Sequence, residues 1–334
     1  MSGETILVTG GAGYVGSHAC LTLAEAGYKV IVYDNFSNGH ERFAKFGELE
    51  RGDVRDEARL SEVMIRWKPA AVMHFAALIE VGISVREPAE FYDVNVRGAL
   101  AVLAAMRANN VNCFVFSSTC ATYGEPQKLP LDESHPQIPV SPYGWTKLMV
   151  ERILIDYCAA YGLRATMLRY FNASGAAADY GIGERHLPET HAIPLALFPL
   201  LGRTERFSIF GDDYATRDGT AIRDYVHVLD LAEAHVKALR KLLDGDPGDC
   251  FNLGTGRGAT VKELLDAIEA ATGRKVPAVL APRRPGDSPA LVADAKKARD
   301  VLGWTPTRSL EEIVASAWRW HGGVESQLFA NEDA

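Results

Sequence analysis

Continuous apolar runs alternate with helical patterns along the first half of the chain. Residues 5–9 form a short apolar run, which a glycine-rich turn and a helical pattern ending near Gly27 follow directly. Further apolar runs cover residues 29–33, 70–77, 113–116 and 164–170. Such runs are typical of strands that helices cover on both faces, as in parallel sheets. The alternation therefore predicts a doubly wound parallel α/β sheet of the Rossmann type.

Two long helices are predicted, at residues 88–109 and 142–161. The first carries a stripe of small residues, which are Ala99, Ala101, Ala104 and Ala105. This stripe is compatible with plain core packing and with a close helix contact between two subunits, and the sequence leaves both open. The second helix begins at Ser141-Pro142, and a capping serine with a first-turn proline is typical of a helix start.

The composition indicates a globular chain without a membrane anchor. A length of 334 residues and a hydrophobic fraction of 47% fit about two domains. The apolar runs fall short of the ~20 residues of a membrane helix, and residues 1–5 lead into a strand without a signal peptide. We therefore expect a cytoplasmic protein with no membrane partner. The formal net charge of −8 also disfavours nucleic acid as a partner.

The cysteines are scattered along the chain. They are Cys20, Cys113, Cys120, Cys158 and Cys250. Because the sequence contains no C-x-x-C pair, the pattern disfavours both a disulfide framework and a zinc site. We expect small buried cysteines and no metal ion.

The glycine-rich turn after the first strand carries the first functional signal. In a dinucleotide fold, glycines between strand and helix let the backbone approach a pyrophosphate, whose charge meets free N–H groups at the helix start. The candidate contacts in this loop are Gly10, Gly13, Tyr14, Val15 and Gly16. The second strand leads into Asp34 and Asn35. An acid about twenty residues after the loop suits a ribose diol and repels a 2′-phosphate, so NAD is favoured over NADP.

Two later strand ends lie beside the expected cofactor. Asp53 and Val54 follow a short strand, where Asp53 either accepts a hydrogen bond from the adenine amino group or caps the next helix. The run at residues 70–77 ends in three residues that we place along the cofactor, Phe75, Ala76 and Ala77. His74 in that run is expected to be a satisfied core histidine.

Tyr143 and Lys147 lie four residues apart at the start of the second long helix, so their side chains project from one face. A neighbouring ammonium favours the phenolate and is expected to lower the pKa of Tyr143 from about 10, which would make it a base near neutral pH. The strand at residues 113–116 runs into a hydroxyl cluster that ends at Thr119. Tyr-x-x-x-Lys also occurs as a surface pair, but Thr119 and the glycine loop favour a catalytic role.

The character of the chain changes after Gly175. Glycine, histidine and proline are frequent in residues 176–194, and short elements with polar loops follow. The apolar run at residues 250–254 predicts that the chain returns to the domain formed by its first half, which we call the first lobe. The predicted domains are an NAD-binding Rossmann domain at residues 1–176 and 224–256, and a smaller mixed α/β substrate lobe at residues 177–223 and 257–334.

Arg283, Arg284 and Asp287 lie close together in the sequence of that lobe. Paired guanidinium groups suit a diphosphate, and an acid suits a ribose diol. The same residues also fit an ordinary solvated charge run, so both interpretations stand.

Several longer strings point to one family. They are GGAGYVGSH, YDNFSNGH, GDVRD, HFAA, SSTCATYGEP, SPYGWTKLMVE, LRYFNASGA, GTAIRDYVHVLDLAEAH, FNLGTG and RRPGD. Together they cover nearly the whole chain, and they resemble the UDP-glucose 4-epimerase family of the extended short-chain dehydrogenase/reductase superfamily. The resemblance implies inversion at C4 of a UDP-sugar with tightly bound NAD, and a homodimer formed through the two long helices.

The resemblance also implies roles for individual residues. Tyr143 accepts the proton of the sugar 4-hydroxyl, directly or through Thr119, while Lys147 keeps Tyr143 ionised and binds the nicotinamide ribose. The UDP-binding residues that it implies are Asn172, Phe210 (against the uracil), Arg223, Arg284 and Asp287. The predicted cofactor contacts are completed by Asn95, Ser117 and Tyr170.

The chain departs from the family pattern at four positions. Thr119 stands where the family often has serine, which keeps the hydroxyl but restricts its rotamer. Ile79 stands where some members carry a lysine near the cofactor. His191 precedes Ile-Pro where some members have asparagine, so we expect the polar substrate contact from His191. Leu291 occupies a sugar-pocket position, where it either admits a 2-acetamido group or seals the pocket.

Several functions remain to be distinguished. UDP-glucose with UDP-galactose is the leading substrate pair, and UDP-N-acetylhexosamines and the pentoses UDP-xylose and UDP-arabinose are alternatives. UDP-sugar dehydratases and decarboxylases usually carry an acid one or two residues from the strand-end hydroxyl, whereas residues 120–122 here are Cys-Ala-Thr, which argues against elimination. A non-catalytic nucleotide-binding protein is the last alternative, and the intact set of Thr119, Tyr143 and Lys147 argues against it.

Overall fold

The computed structural model describes residues 3–284 and 287–329. Residues 1–2 and 330–334 of the predicted domains, and residues 285–286 of the predicted substrate lobe, lie outside the described residues. The strands are β1 (Thr5–Thr9), β2 (Lys29–Asp34), β3 (Glu48–Arg51), β4 (Ala71–His74), β5 (Cys113–Thr119), β6 (Arg164–Tyr170), β7 (Asn172–Ser174), β8 (Phe207–Phe210), β9 (Ile222–Arg223), β10 (Tyr225–His227), β11 (Cys250–Leu253), β12 (Ala259–Thr260), β13 (Ala278–Ala281) and β14 (Ala290–Leu291).

The helices alternate with these strands. They are α1 (Tyr14–Glu25), α2 (Glu57–Trp67), α3 (Val81–Arg86), α4 (Pro88–Phe91), α5 (Gly98–Ala108), α6 (Pro142–Tyr161), α7 (Ala192–Leu197), α8 (Val228–Leu243), α9 (Val261–Thr272), α10 (Leu310–Arg319) and α11 (Glu325–Phe329). Shorter 3-10 segments lie at Glu41–Phe46, Cys120–Thr122, Ala178–Tyr180 and Phe198–Leu201, and π-helical segments at Tyr92–Arg97, Ala298–Leu302 and Trp320–Val324.

One parallel sheet of seven strands forms the centre of the molecule, in the order β11-β6-β5-β4-β1-β2-β3. From β1 the strand order proceeds through β2 to β3 at one edge of the sheet, and the next strand, β4, then pairs with β1 on its other side. Thr9 lies opposite His74, and Thr119 lies opposite Tyr170, so the carboxyl ends of these strands share one edge. Ligands of such sheets bind at this edge, where the strand order reverses. The predicted doubly wound parallel sheet is confirmed.

Apolar side chains cover both faces of the sheet. On one face Ile6 and Val8 pack in a buried cluster with residues of α1 and α8. On the other face Leu7 and Val72 pack with residues of α2, α5 and α6. Burial of each large aliphatic side chain contributes about 1.5–3 kcal/mol, which is why the strands are apolar throughout. His74 is buried and shares a 2.7 Å hydrogen bond with the Thr9 hydroxyl, which confirms a satisfied core histidine.

The two long helices differ in regularity. The predicted helix at residues 142–161 is confirmed as α6, and the Ser141 hydroxyl caps it by accepting a hydrogen bond from the Gly144 N–H (3.2 Å). The predicted helix at residues 88–109 is instead divided, because the π-helical segment Tyr92–Arg97 separates α4 from α5. In the alanine stripe, Ala99 and Ala105 are fully buried core residues. None of the described helices combines the length and apolarity needed to cross a membrane.

A smaller group of elements packs beside the carboxyl edge of the sheet. Residues of α7, β8, α9 and α10 share one buried cluster, in which β8 pairs with β13. The predicted return of the chain to the first lobe is confirmed, because β11 pairs with β6 at one end of the sheet. Trp304, from the predicted substrate lobe, belongs to the core beside α8 and donates a hydrogen bond to the carbonyl oxygen of Asp230 (2.8 Å). The domain boundaries stay a prediction.

Candidate active site

A pocket of about 410 Å³ opens at the carboxyl ends of the central strands. This volume falls in the range of about 300–1,000 Å³ that is typical of small-molecule sites. The predicted site residues that line it are Gly10, Gly13, Tyr14, Val15, Gly16, Asp34, Asn35, Asp53, Val54, Phe75, Ala76, Ala77, Ser117, Thr119, Tyr143, Lys147, Tyr170, Asn172, His191 and Leu291. The predicted site residues outside this lining are Asn95, Phe210, Arg223, Arg284 and Asp287.

The glycine loop between β1 and α1 forms one wall of the pocket. A Cβ at Gly10 would lie 2.5 Å from the backbone nitrogen of Ala76, and a Cβ at Gly16 would lie 2.1 Å from the carbonyl oxygen of Gly10. Only glycine permits these close approaches. α1 begins at Tyr14, and no described side chain caps its start. The N–H groups of the first helical turn are therefore available to an anion.

The end of β2 places a buried carboxylate, Asp34, in the same wall. Its oxygens accept hydrogen bonds from the backbone N–H groups of Ala12 (2.9 Å) and Phe36 (2.8 Å). Burial raises the pKa of Asp34, while these hydrogen bonds act against the shift. Because a carboxylate has about four acceptor sites, Asp34 can also accept from a ribose diol.

Asp53 lies beside Asn35 and is tied to an arginine. Asn35 Nδ2 donates to Asp53 Oδ2 (3.0 Å), and Arg55 donates to both carboxylate oxygens (2.8 and 2.7 Å). The hydrogen bonds from the Arg55 side chain hold the pKa of Asp53 well below its ordinary range. The alternative that Asp53 caps α2 is wrong, because Asp56 accepts the capping hydrogen bond from the Arg59 N–H (2.9 Å). The adenine contact stays a prediction.

Asn95 lies behind the pocket wall. Its Oδ1 accepts from the N–H of Leu78 (2.8 Å), and its Nδ2 donates to the carbonyl oxygen of Leu78 (3.0 Å) and to Thr146 Oγ1 (3.0 Å). These bonds fasten the segment that follows Ala77 to α6. Asn95 therefore positions the wall, and its direct contact with a cofactor stays a prediction.

The predicted catalytic residues meet where β5 ends and α6 begins. Thr119, Tyr143 and Lys147 all line the pocket. Lys147 Nζ donates to the carbonyl oxygen of Ser117 (2.9 Å) and lies 6.0 Å from the centroid of the Tyr143 ring. The Ser117 hydroxyl is hydrogen-bonded to the Tyr170 hydroxyl. Residues from β5, β6 and α6 thus form one polar group at the strand ends.

The predicted low pKa of Tyr143 is wrong for this geometry. Burial raises the pKa of Tyr143, the nearby Tyr170 adds to the rise, and a hydrogen bond with the Thr119 hydroxyl opposes it. Burial also lowers the pKa of Lys147 to about 7, although Glu151 opposes that shift. Burial thus disfavours the ammonium of Lys147 as well as the phenolate of Tyr143, and both shifts run against the predicted low pKa of Tyr143.

Glu151 and Arg169 form a buried ion pair behind the catalytic residues. Arg169 donates through Nε to Glu151 Oε1 (2.8 Å) and through Nη2 to Oε2 (2.5 Å), and the Ser118 hydroxyl also donates to Oε1 (2.5 Å). This network ties α6 to β5 and β6, and so fixes the helix that carries Lys147. The sequence analysis missed the pair, although Glu151 lies four residues after Lys147 and hence on the same helix face.

Arg223 and Asp287, two predicted UDP-binding residues, lie together outside the pocket lining. Arg223 donates to the carbonyl oxygens of Ile222 and Ser288 (both 2.9 Å) and to Asp287 Oδ1 (3.3 Å). Asn172, inside the pocket, donates through Nδ2 to the carbonyl oxygen of the residue after Arg223 (3.2 Å). Asn172 therefore links the pocket to this pair through the carbonyl group that follows Arg223.

Arg284 and Phe210 form a second pair in the same lobe. The Arg284 guanidinium stacks on the Phe210 ring, with its carbon 3.8 Å from the ring centroid. Arg283, which the sequence grouped with Arg284, instead pairs with the exposed Asp213 (2.7 Å). Arg283 also lies over the Tyr214 ring (4.2 Å), so each of the two arginines contacts an aromatic ring.

A cluster near the start of α1 contains Glu184, His186, Glu189 and His191, and the His186 ring lies 6.1 Å from the Tyr14 ring. Each of these residues offers one potential ligand atom, and the four atoms all lie within 4.8 Å of one another. Sequence analysis singled out only His191. The spacing Glu-x-His-x-x-Glu-x-His was the available signal, but these residues do not share a helix or a strand, so periodicity did not reveal their convergence.

Comparisons with known proteins cover nearly the whole chain. A family model described as GDP-mannose 4,6 dehydratase matches residues 7–317. A curated UDP-glucose 4-epimerase from Rhizobium leguminosarum bv. trifolii is 59% identical over 321 residues, which are 96% of this chain and 98% of the relative.

Two solved structures share the fold and the chain length. The crystal structure of UDP-glucose 4-epimerase from Brucella ovis in complex with NAD has a TM-score of 0.92 and 48% identity, over 94% of this chain and 97% of that one. The UDP-glucose 4-epimerase from Stenotrophomonas maltophila with bound NAD and formylated UDP-arabinopyranose has a TM-score of 0.94 and 39% identity, over 97% and 99%. Both likenesses extend over nearly the whole chain.

We expect Glu151→Gln to lower the free energy of unfolding by about 3–5 kcal/mol, because it leaves the buried Arg169 charge without its carboxylate. Urea denaturation followed by circular dichroism measures this loss. The matched control is Asp156→Asn on the same helix, which breaks an exposed pair with Arg152 (3.0 Å) and should cost no more than about 1 kcal/mol. Equal losses in the two variants would contradict a structural role for the buried pair.

Proposed function

This chain belongs to the UDP-glucose 4-epimerase family, and we propose that it interconverts UDP-glucose and UDP-galactose by transient oxidation of the sugar at C4. It is an NAD-dependent isomerase. The observation that carries the mechanism is that Thr119, Tyr143 and Lys147 line the same pocket as the glycine loop. The candidate acid/base residue and the dinucleotide-binding loop therefore face the same pocket.

The pocket fits NAD on the chemistry of its walls. The backbone at Gly10 and Gly16 and the uncapped start of α1 suit the pyrophosphate. We assign Asp34 to the ribose diol and Asp53 with Val54 to the adenine. Bound there, NAD⁺ would supply the acceptor for a hydride from C4 and, once reduced, the donor for its return, and its positive ring would favour the Tyr143 phenolate.

Tyr143 moves the proton of the sugar 4-hydroxyl in this proposal. Because burial raises its pKa, the phenol keeps its proton until positive charge lies beside it. Lys147 supplies such charge when protonated, and its hydrogen bond to the Ser117 carbonyl oxygen fixes the position of Nζ. Thr119, whose side chain lines the same pocket as Tyr143, offers a relay for the same proton.

The residues after the strand-end hydroxyl favour epimerisation over elimination. A dehydratase needs an acid at the reaction centre, and the segment Cys120–Thr122 that follows Thr119 carries none. Burial raises the pKa of Cys120 to about 12, so its thiol is no substitute. An epimerase returns the sugar to its starting oxidation state, which agrees with a cofactor that remains bound throughout.

We assign UDP binding to four residues of the predicted substrate lobe, Phe210, Arg223, Arg284 and Asp287, together with Asn172 of the pocket. Arg223 and Asp287 suit the diphosphate and the ribose diol, and Asn172 lies on the pocket side of them. Phe210 offers an aromatic face to the uracil, and Arg284 already stacks on that face. Firm anchoring of the nucleotide leaves the 4-keto sugar free to turn over between the two hydride transfers.

The sugar range beyond glucose and galactose stays a prediction. Leu291 lines the pocket and packs beside the buried Cys120 and Tyr123, so its size sets the room at that wall. At this wall Leu291 either admits a 2-acetamido group or seals the pocket. UDP-N-acetylhexosamines and UDP-pentoses are therefore secondary substrates to test after the hexose pair.

We also propose a homodimer and a cytoplasmic location. Two apolar side chains of α6, Trp145 and Met149, are 41% and 40% exposed, and Leu100 on α5 is 37% exposed. An exposed apolar face on these helices supports their role as the subunit contact. All five cysteines are free, which agrees with a reducing compartment.

We expect Tyr143→Phe to lower turnover at least ~100-fold, the usual contribution of a positioned acid/base. The test follows the anomeric proton of UDP-galactose by NMR, without added NAD, in proteins checked for bound NAD. Tyr161→Phe, which makes the same change at the exposed end of α6, is the control and should leave turnover unchanged. If Tyr143→Phe kept more than about a tenth of the wild-type rate, Tyr143 would not hold this role.

We expect Met149→Asp to convert the dimer to a monomer, because the change places a charge in a desolvated interface. Size-exclusion chromatography with light scattering measures the mass. Ile65→Asp is the matched control, since Ile65 is 64% exposed on α2, away from the proposed contact. A wild-type monomer, or a dimer that survives Met149→Asp, would rule out this interface.

A further inference from the structure

Four side chains converge in the segment between β7 and α7, and their spacing is that of a metal site. His191 Nδ1 lies 2.8 Å from Glu189 Oε1 and 2.9 Å from Glu184 Oε1. His186 Nδ1 lies 3.6 Å from Glu184 Oε1 and 3.7 Å from Glu189 Oε2. Ligands at about 2.0–2.1 Å from a tetrahedral ion are separated by about 3.3 Å. The observed separations lie on both sides of that value.

Hydrogen bonds within the cluster do not satisfy these atoms. The single N–H that His191 Nδ1 can carry is directed to Glu189 Oε1 (2.8 Å). Glu184 Oε1 and His186 Nδ1 are buried, and neither has a hydrogen-bond partner in the described part of the chain. The Glu184 side chain is only 4% exposed. A buried carboxylate oxygen and a buried ring nitrogen thus face each other unsatisfied, which is unfavourable.

We propose that Glu184, His186, Glu189 and His191 bind one divalent transition-metal ion, for which Zn²⁺ is the best match. Two neutral imidazoles and two carboxylates around a divalent cation give a site with no net charge, which suits burial. Nitrogen and oxygen ligands in a compact group of four are typical of Zn²⁺, and four protein ligands form a closed, structural site. This proposal replaces the expectation from the sequence that the chain binds no metal.

The surroundings hold the ligands in place. Glu189 Oε1 accepts from the backbone N–H groups of Thr190 (2.7 Å) and His191 (2.8 Å), which leaves Oε2 on the side of His186. Trp320 Nε1 donates to the carbonyl oxygen of Glu184 (2.7 Å). Such outer contacts orient metal ligands in known sites.

The ion would stiffen one wall of the active-site pocket. Glu184, His186 and His191 all belong to its lining, and the His186 ring lies 6.1 Å from the ring of Tyr14 at the start of α1. Binding through Nδ1 leaves the other ring nitrogen of His191 for the predicted substrate contact. The proposed role is therefore structural, and the ion takes no part in the transfer of hydride or proton.

A pair of protonated histidines is the competing arrangement. Burial lowers the pKa of His186, but the neighbouring carboxylates of Glu184 and Glu189 outweigh it and raise the pKa to about 9. Two imidazolium ions would balance the charge of the two carboxylates. They would still leave the nearest carboxylate oxygens at 3.6 and 3.7 Å from His186 Nδ1, beyond hydrogen-bond range. A bound divalent ion balances the charge of the two carboxylates and accounts for the distances between the four ligand atoms.

The test is the metal content of the full-length protein, purified through a tag without histidine and in buffers without chelator. Mass spectrometry of the metals should find close to one zinc ion per chain, before or after incubation with ZnCl₂ and desalting. His186→Gln and Glu189→Gln should each reduce it at least about tenfold, since even outer-sphere changes cost roughly 10- to 100-fold in metal affinity. His135→Gln, a histidine change whose hydrogen-bond partners Gln127 and Pro136 lie outside the cluster, should leave it unchanged.

Two further measurements exclude misfolding as the cause. Bound NAD and the circular dichroism spectrum identify variants that keep the native fold. In the wild type, a chelator should lower the melting temperature and ZnCl₂ should restore it, and X-ray absorption should show only nitrogen and oxygen ligands. A wild type that carries no zinc above the buffer blank even after loading, or a folded His186→Gln that retains as much as the wild type, would overturn the proposal.

Discussion

The register between β5 and β6 is the constraint on which the site depends. Side chains alternate between the faces of a strand, so Ser117 and Thr119 face the pocket while Ser118 faces Glu151 on the other side. The pairing of Thr119 with Tyr170 brings the two strand ends to one level. A slip of one residue would turn the Thr119 hydroxyl away from Tyr143 and towards the buried ion pair. The position of the Thr119 hydroxyl follows from this pairing, and Glu151 ties α6, which carries Tyr143 and Lys147, to the same two strands.

Burial sets the electrostatics of the same region. It disfavours both charged forms of the catalytic pair, which raises the pKa of Tyr143 and lowers that of Lys147 to about 7. The Glu151 carboxylate, which opposes the shift of Lys147, is itself held by Arg169. A cofactor that brings positive charge into the pocket therefore completes the acid/base group, and its loss would leave Tyr143 protonated. A permanently bound NAD is the arrangement that this balance favours.

The sequence predicts the central sheet well, because strands buried on both faces must be apolar along their whole length. It also predicts α6 to the residue, since Ser141 and Pro142 specify a helix start chemically. It does not predict the π-helical segment before α5, where the Asn95 side chain is hydrogen-bonded with Leu78 and Thr146, which are distant in the sequence. Local periodicity carries no information on such distant partners.

In the candidate site, too, some residues could be predicted from the sequence and others could not. Strand ends and the glycine loop place Asp34, Thr119 and Tyr143 in the pocket, as predicted from topology. The shift of the Tyr143 pKa went in the opposite direction because spacing along a helix reveals a charged neighbour but not the degree of burial. The cluster around His186 was missed because its members converge through the path of an irregular segment.

The central claim is that hydride leaves C4 and returns to it on the same molecule, and isotopic labelling tests this most directly. UDP-galactose deuterated at C4 would be incubated with the purified protein without added NAD, and the product examined by NMR and mass spectrometry. The account predicts UDP-glucose with the deuterium still at C4 and the mass unchanged. Loss of the deuterium to solvent, or a product of lower mass, would contradict it.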